Sequence, residues 1–89
     1  MKYYKYILYR YCSVKRDYFK ITVKATVAMV EDTGIIINDY LKEKINTKMY
    51  EKGCKPVEQI EVVKQLIYID LNKRNKERLI SEDRYQIEG

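Results

Sequence analysis

Residues 18–30 alternate. Their odd positions are Phe19, Ile21, Val23, Ala25, Val27 and Met29, and their even positions are Tyr18, Lys20, Thr22, Lys24, Thr26, Ala28 and Val30. Successive side chains of a β-strand point to opposite faces, so this period-two pattern predicts a half-buried strand with its odd face inward. β-Branched residues dominate it, which suits a pleated surface. A strand with one apolar face needs further strands beside it and a layer to cover that face.

The neighbouring segments supply both. Residues 2–12 are tyrosine-rich with no helical stripe, and read as a strand. The linker Ser13-Val14-Lys15-Arg16-Asp17 is short enough to close a β-hairpin. Two registers fit the first strand. In one, Tyr4, Tyr6, Leu8 and Cys12 join the core while Tyr3, Tyr9 and Tyr11 face outward. In the other, Tyr3, Ile7, Tyr9 and Tyr11 point inward, leaving Tyr4, Tyr6 and Arg10 outside. Both leave tyrosines on a solvent face beside Lys20 and Lys24.

Glu31-Asp32-Thr33-Gly34 is turn chemistry. Ile37, Tyr40/Leu41, Ile45 and Met49 follow at spacings of three and four, the apolar stripe of a helix. Thr33 or Asn38/Asp39 could cap it, and Asn38 is preferred, with residues 35–37 as a buried lead-in. Gly53 and Pro56 mark the helix end. Residues 58–71 are rich in valine and isoleucine, but Ile60/Val62 and Ile67/Ile69/Leu71 lie on opposite parities. A strand with a bulge near residues 63–65 reconciles them; a helix over 57–65 followed by a short strand fits less well. Residues 72–76 read as a polar turn and 77–81 as a short returning strand. Residues 82–89 are expected to be a frayed tail.

The predicted order is β-β-α-β-β, giving an α+β fold: an antiparallel sheet of about four strands with one helix on one face. With 89 residues, the chain forms a single domain. A chain of this length buries only about 60–65% of its unfolded surface, so its core is modest. One helix covers only part of one face, and the other face is left to solvent or a partner.

Composition narrows the chemistry. The chain has no histidine, so it contains no Ser-His-Asp or Cys-His arrangement and no histidine-dependent zinc site. Its two cysteines are too few for an all-thiolate zinc site. Glycines at 34, 53 and 89 make no phosphate-binding loop. Glu61-Val62-Val63-Lys64 resembles the acid-x-lysine pattern of metal-dependent nucleases, but its spacing is three rather than two. On a strand that puts Glu61 and Lys64 on opposite faces. Glu31-Asp32 and Glu82-Asp83 read as solvated turn acids rather than converging magnesium ligands. No catalytic residue, metal site or cofactor is expected, and the chain is not expected to be an enzyme.

The N-terminus lacks the apolar run of a signal peptide, and no stretch approaches the ~18 apolar residues of a membrane span. A cytoplasmic protein with no membrane partner is expected. Cys12 and Cys54 then read as reduced, buried small hydrophobes rather than a disulfide. Cys54 follows a helix C-terminus, where the dipole disfavours a reactive thiolate.

Tyrosine and charge are unevenly placed. Five of ten tyrosines fall in the first eleven residues, and residues 1–24 carry seven basic groups against one acid, enough to account for the net charge of +5. The candidate binding surface is Tyr3, Tyr4, Tyr6, Tyr9, Arg10, Tyr11, Tyr18, Lys20 and Lys24. Tyrosine and arginine are enriched at protein interfaces, and the first strand, residues 2–12, is expected to be an edge strand that can pair by strand addition. The expected function is therefore a small interaction module that binds a protein partner or itself, as a homo-oligomer. The alternative is a single-stranded nucleic-acid-binding protein stacking bases on the same tyrosines. Glu58, Glu61 and Asp70 count against that alternative if they share the face. The compositional profile, small and rich in lysine, isoleucine and tyrosine, resembles that of accessory proteins of phages and mobile elements, many of which inhibit by occlusion.

Overall fold

A computed structural model describes residues 1–31, 37–55, 59–74 and 76–88. The fold is α+β. A four-stranded antiparallel sheet is made by β1 (Lys2–Cys12), β2 (Asp17–Thr26), β3 (Ile60–Asp70) and β4 (Lys76–Ile87). Between β2 and β3 lie a short helix α1 (Val27–Glu31) and a longer helix α2 (Ile37–Glu51). The spatial order is β2-β1-β3-β4, so β2 and β3 run parallel on either side of β1, and the helical segment crosses between them.

The alternating segment is a strand only as far as Thr26. Thr26 Oγ1 accepts a hydrogen bond from the Met29 amide (3.2 Å). That is an N-cap bond to the third helical residue, and it turns residues 27–31 into helix where the sequence predicts continued strand. Within β2 the odd face does point inward. It is only partly buried, apart from Ala25, because β2 is an edge strand.

In β1 the first register holds. Tyr6, Leu8 and Cys12 are buried under the helices with Leu41, Ile45 and Met49 of α2. Arg10 shares that parity and is buried with them, only 2% exposed. The α2 stripe is as expected, and truncating Leu41, Ile45 or Met49 to alanine would cost about 2–5 kcal/mol each. α2 begins at Ile37, which places the preferred cap Asn38 inside the first turn. Its end is a Schellman motif. Gly53 (φ 75°) donates to the Tyr50 carbonyl at 3.0 Å, and Cys54 to the Met49 carbonyl at 2.8 Å. The turn at 32–34, the lead-in at 35–36, the stop at Pro56, residues 57–58 and Asn75 of the polar turn lie outside the described residues.

β3 is one strand, with no helix from residue 60 onward, and it contains no bulge of its own. The irregularity lies in its partner, where Leu66 pairs with Ser81 and Ile67 with Leu79, leaving Ile80 as the extra residue of β4. The parity change in β3 arises because it is central and carries apolar residues on both faces. The tail is also corrected. Residues 82–87 continue β4 rather than fraying, with Ile60 opposite Ile87. Tyr85 and Ile87 pack against the core, and the Tyr85 hydroxyl donates to Asn38 Oδ1 (3.0 Å).

Candidate interaction surface

Strand registers place five rows of side chains on the sheet face opposite the helices. Reading from β2 to β4, one row is Lys20, Tyr9, Glu61 and Gln86. The next is Thr22, Ile7, Val63 and Arg84, followed by Lys24, Lys5, Gln65 and Glu82. Thr26, Tyr3, Ile67 and Leu79 form a fourth, and Tyr11 and Tyr18 lie opposite each other at one end. Among the described residues, no helix or strand covers this face.

Six of the nine candidate residues lie on this side of the sheet, and five of them, Tyr9, Tyr11, Tyr18, Lys20 and Lys24, reach solvent. Tyr3, expected to be exposed, is instead buried, only 7% exposed, because its ring packs under Lys24 and its hydroxyl is held by Glu77. Tyr18 is 61% exposed and meets Tyr11 edge-on, with ring centroids 5.7 Å apart. Lys20 Nζ sits over the Tyr9 ring at 5.7 Å and Lys24 Nζ over the Tyr3 ring at 5.4 Å, so two ring faces already hold a cation. The Tyr3 hydroxyl donates to Glu77 Oε1 at 2.9 Å. Burial, reinforced by that carboxylate, raises its pKa.

The other three candidates lie on the helix side and cannot join this surface. Tyr4 is partly buried. Its hydroxyl donates to Glu31 Oε1 (2.8 Å), which raises its pKa, and Lys64 Nζ lies 4.8 Å from its ring. Tyr6 is fully buried, and Arg10 donates from Nη1 to Asn46 Oδ1 beneath α2. The reason is parity: position 10 follows 6 and 8 on the face that α2 covers. Desolvation lowers the Arg10 pKa, opposed by Tyr50.

The face also contains Glu61, which the sequence places there conditionally, and residues not anticipated from sequence. Ile7, Val63 and Ile67 form its apolar middle, of which Val63 and Ile67 are only 9% and 6% exposed, and Glu61, Glu77 and Glu82 sit on β3 and β4. The alternation Glu61, Val63, Gln65, Ile67 was a readable signal for β3, but the pairing that places it beside β1 was not. A groove of about 330 Å³ opens here, lined by Tyr9, Tyr18, Glu61, Val62, Val63 and Arg84. Charge divides across the strands. Lys5, Lys20 and Lys24 occupy β1 and β2. The three glutamates occupy β3 and β4, with Arg84 Nη2 3.6 Å from Glu82 Oε2.

β1 is flanked on both sides, so it has no free edge for strand addition; the edges are β2 and β4. β4 carries a bulge and six charged residues, both of which guard an edge. Glu61 and Lys64 do fall on opposite faces, as their spacing requires. No three His, Cys, Asp or Glu side chains among the described residues converge on a metal-sized site. None of the described helices is long and apolar enough to cross a membrane. No protein-family model, curated protein or solved structure matches the chain.

Proposed function

We propose that the chain is a small, non-enzymatic interaction module that binds protein through its open sheet face. The observation that carries this reading is the uncovered face itself. Partly buried Ile7 lies at its middle beside Val63 and Ile67, which their neighbours already largely bury, and tyrosines and long charged side chains ring them. An apolar centre with an aromatic and charged surround is the anatomy of a protein interface. Occlusion of a partner, as by the small accessory proteins of phages and mobile elements, is the mode of action this surface suits.

Single-stranded nucleic acid fits less well. Glu61, Glu77 and Glu82 share the face and oppose phosphates, and the Tyr3 and Tyr9 rings are already paired with lysines. Photo-crosslinking separates the readings. A crosslinking residue at Tyr18 should capture polypeptide, while one at Glu43 on the outer surface of α2 should not. Oligonucleotide adducts at Tyr18, or equal capture at both sites, would overturn the proposal.

A further inference from the structure

Resting on that reading of the open face, we infer that its occupant is a second copy of this chain, stacked face to face about a two-fold axis running parallel to the strands. The rows decide the geometry. Such an axis reverses the strand order of one sheet over the other, so β2 lies over β4 and β1 over β3. Lys24 of one copy then covers Glu82 of the other, and Lys5 covers Gln65, which itself donates to Glu82 at 2.8 Å. In the next row Ile7 covers Val63. Each contact occurs twice.

An axis across the strands would instead lay β2 over β2, bringing Lys20 and Lys24 against their own kind. Like charges placed across an interface are strongly unfavourable, so the charge division selects the first arrangement. Aligned sheets pack about 10 Å apart, giving a four-layer α-β-β-α dimer with both helical layers outside. Four strands at about 4.8 Å spacing and rows spanning about 25–30 Å cover about 500 Å² per copy. A total of about 1,000 Å² is at the lower limit for a specific interface, so association should be weak and concentration-dependent.

Sedimentation equilibrium of the full chain, from micromolar to near-millimolar, reads the mass directly. The expected result is a monomer–dimer equilibrium. Lys24→Glu and Glu82→Lys change exposed side chains, so both variants should fold with wild-type circular dichroism. Each variant alone should associate about tenfold more weakly or worse, because each places like charges over one another. An equimolar mixture should recover dimer. In the mixed dimer the carboxylate introduced at position 24 of one variant faces the ammonium introduced at position 82 of the other. The second, symmetry-related contact keeps the native Lys24 and Glu82. A monomer throughout the concentration range, or a mixture no tighter than its components, overturns the inference. If Tyr18 crosslinking nevertheless captures a different protein, the interface reading survives without the homodimer; if it captures nothing, both fail.

Discussion

Arg10 on β1 donates from Nη1 to Asn46 Oδ1 on α2, joining the sheet to the helix that covers it. Arg10 is buried while Asn46 is only partly so, and losing a partner of a buried charged group costs more than replacing the charge itself. Asn46→Ala should destabilise the fold by about 2–4 kcal/mol. Arg10→Met fills similar volume without a charge and should cost less. Urea unfolding of the two variants gives the comparison, and a larger loss in Arg10→Met would contradict it.

Tyr6 is fully buried, and its hydroxyl has no hydrogen-bond partner among the described residues. Removing an unsatisfied polar atom while keeping the ring should be neutral or stabilising, so Tyr6→Phe is expected to gain up to about 1 kcal/mol. Tyr6→Ala, which empties the site, should lose about 3–5 kcal/mol. Thermal melts would reveal whether the hydroxyl has a role, since a marked loss in Tyr6→Phe requires one.

The same hydroxyl makes stability depend on alkaline pH. Burial, with smaller contributions from Tyr85 and Tyr4, pushes the Tyr6 pKa up to about 12 from its ordinary 10.0. Between those values the unfolded chain has lost this proton and the folded chain keeps it, so stability falls as pH rises from about 10 to about 12. Below pH 10 the contribution is fully present. Tyr3, Tyr4 and Tyr85 are raised too and act in the same direction. Unfolding free energy measured across this range should decline less steeply in Tyr6→Phe than in wild type.

Backbone conformation identifies two positions with opposite responses. Gly53 has φ 75° and open space where a Cβ would stand, so Gly53→Ala should lose about 1 kcal/mol from strain alone. Arg16, in the β1–β2 turn, holds φ 54° with a side chain that disfavours it. Arg16→Gly should gain about 0.5–1 kcal/mol. Melting temperatures moving the other way would show that contacts, not φ, control these sites.

Cys12 and Cys54 are free and buried. Their mutual interaction pushes the Cys54 thiol up and the Cys12 thiol down, so burial rather than protonation state is what shields both sulfurs from a reagent. Both should react slowly with a thiol reagent in the folded protein and rapidly once urea unfolds it. Fast native labelling of either cysteine would mean that the end of β1 and the α2 terminus open readily.

Much of the fold was legible because it rests on local pattern. The alternation through β2, the apolar stripe of α2 and Gly53 after its last turn each act over a few residues. Where the reading failed, a distant partner or a short local hydrogen bond intervened. Thr26 capped a helix inside a sequence that still alternates. Tyr85 and Ile87 found the core and extended β4 to residue 87. Arg10 looked like a surface cation, but Asn46 lies across from it.

By itself, the sequence determined which residues share a face within each strand, because side-chain direction follows parity along the chain. It therefore established an open face bearing Tyr9, Tyr11, Lys20 and Lys24 once the register was chosen. Only the tertiary structure decided which strands lie side by side. Pairing β1 with both β2 and β3 took away its free edge. Placing β3 and β4 together on one side of β1 set three glutamates across from three lysines. That charge division cannot be read along the chain, because it depends on hydrogen-bonded register between segments far apart in sequence, and the choice among registers is made by how the whole sheet buries its core.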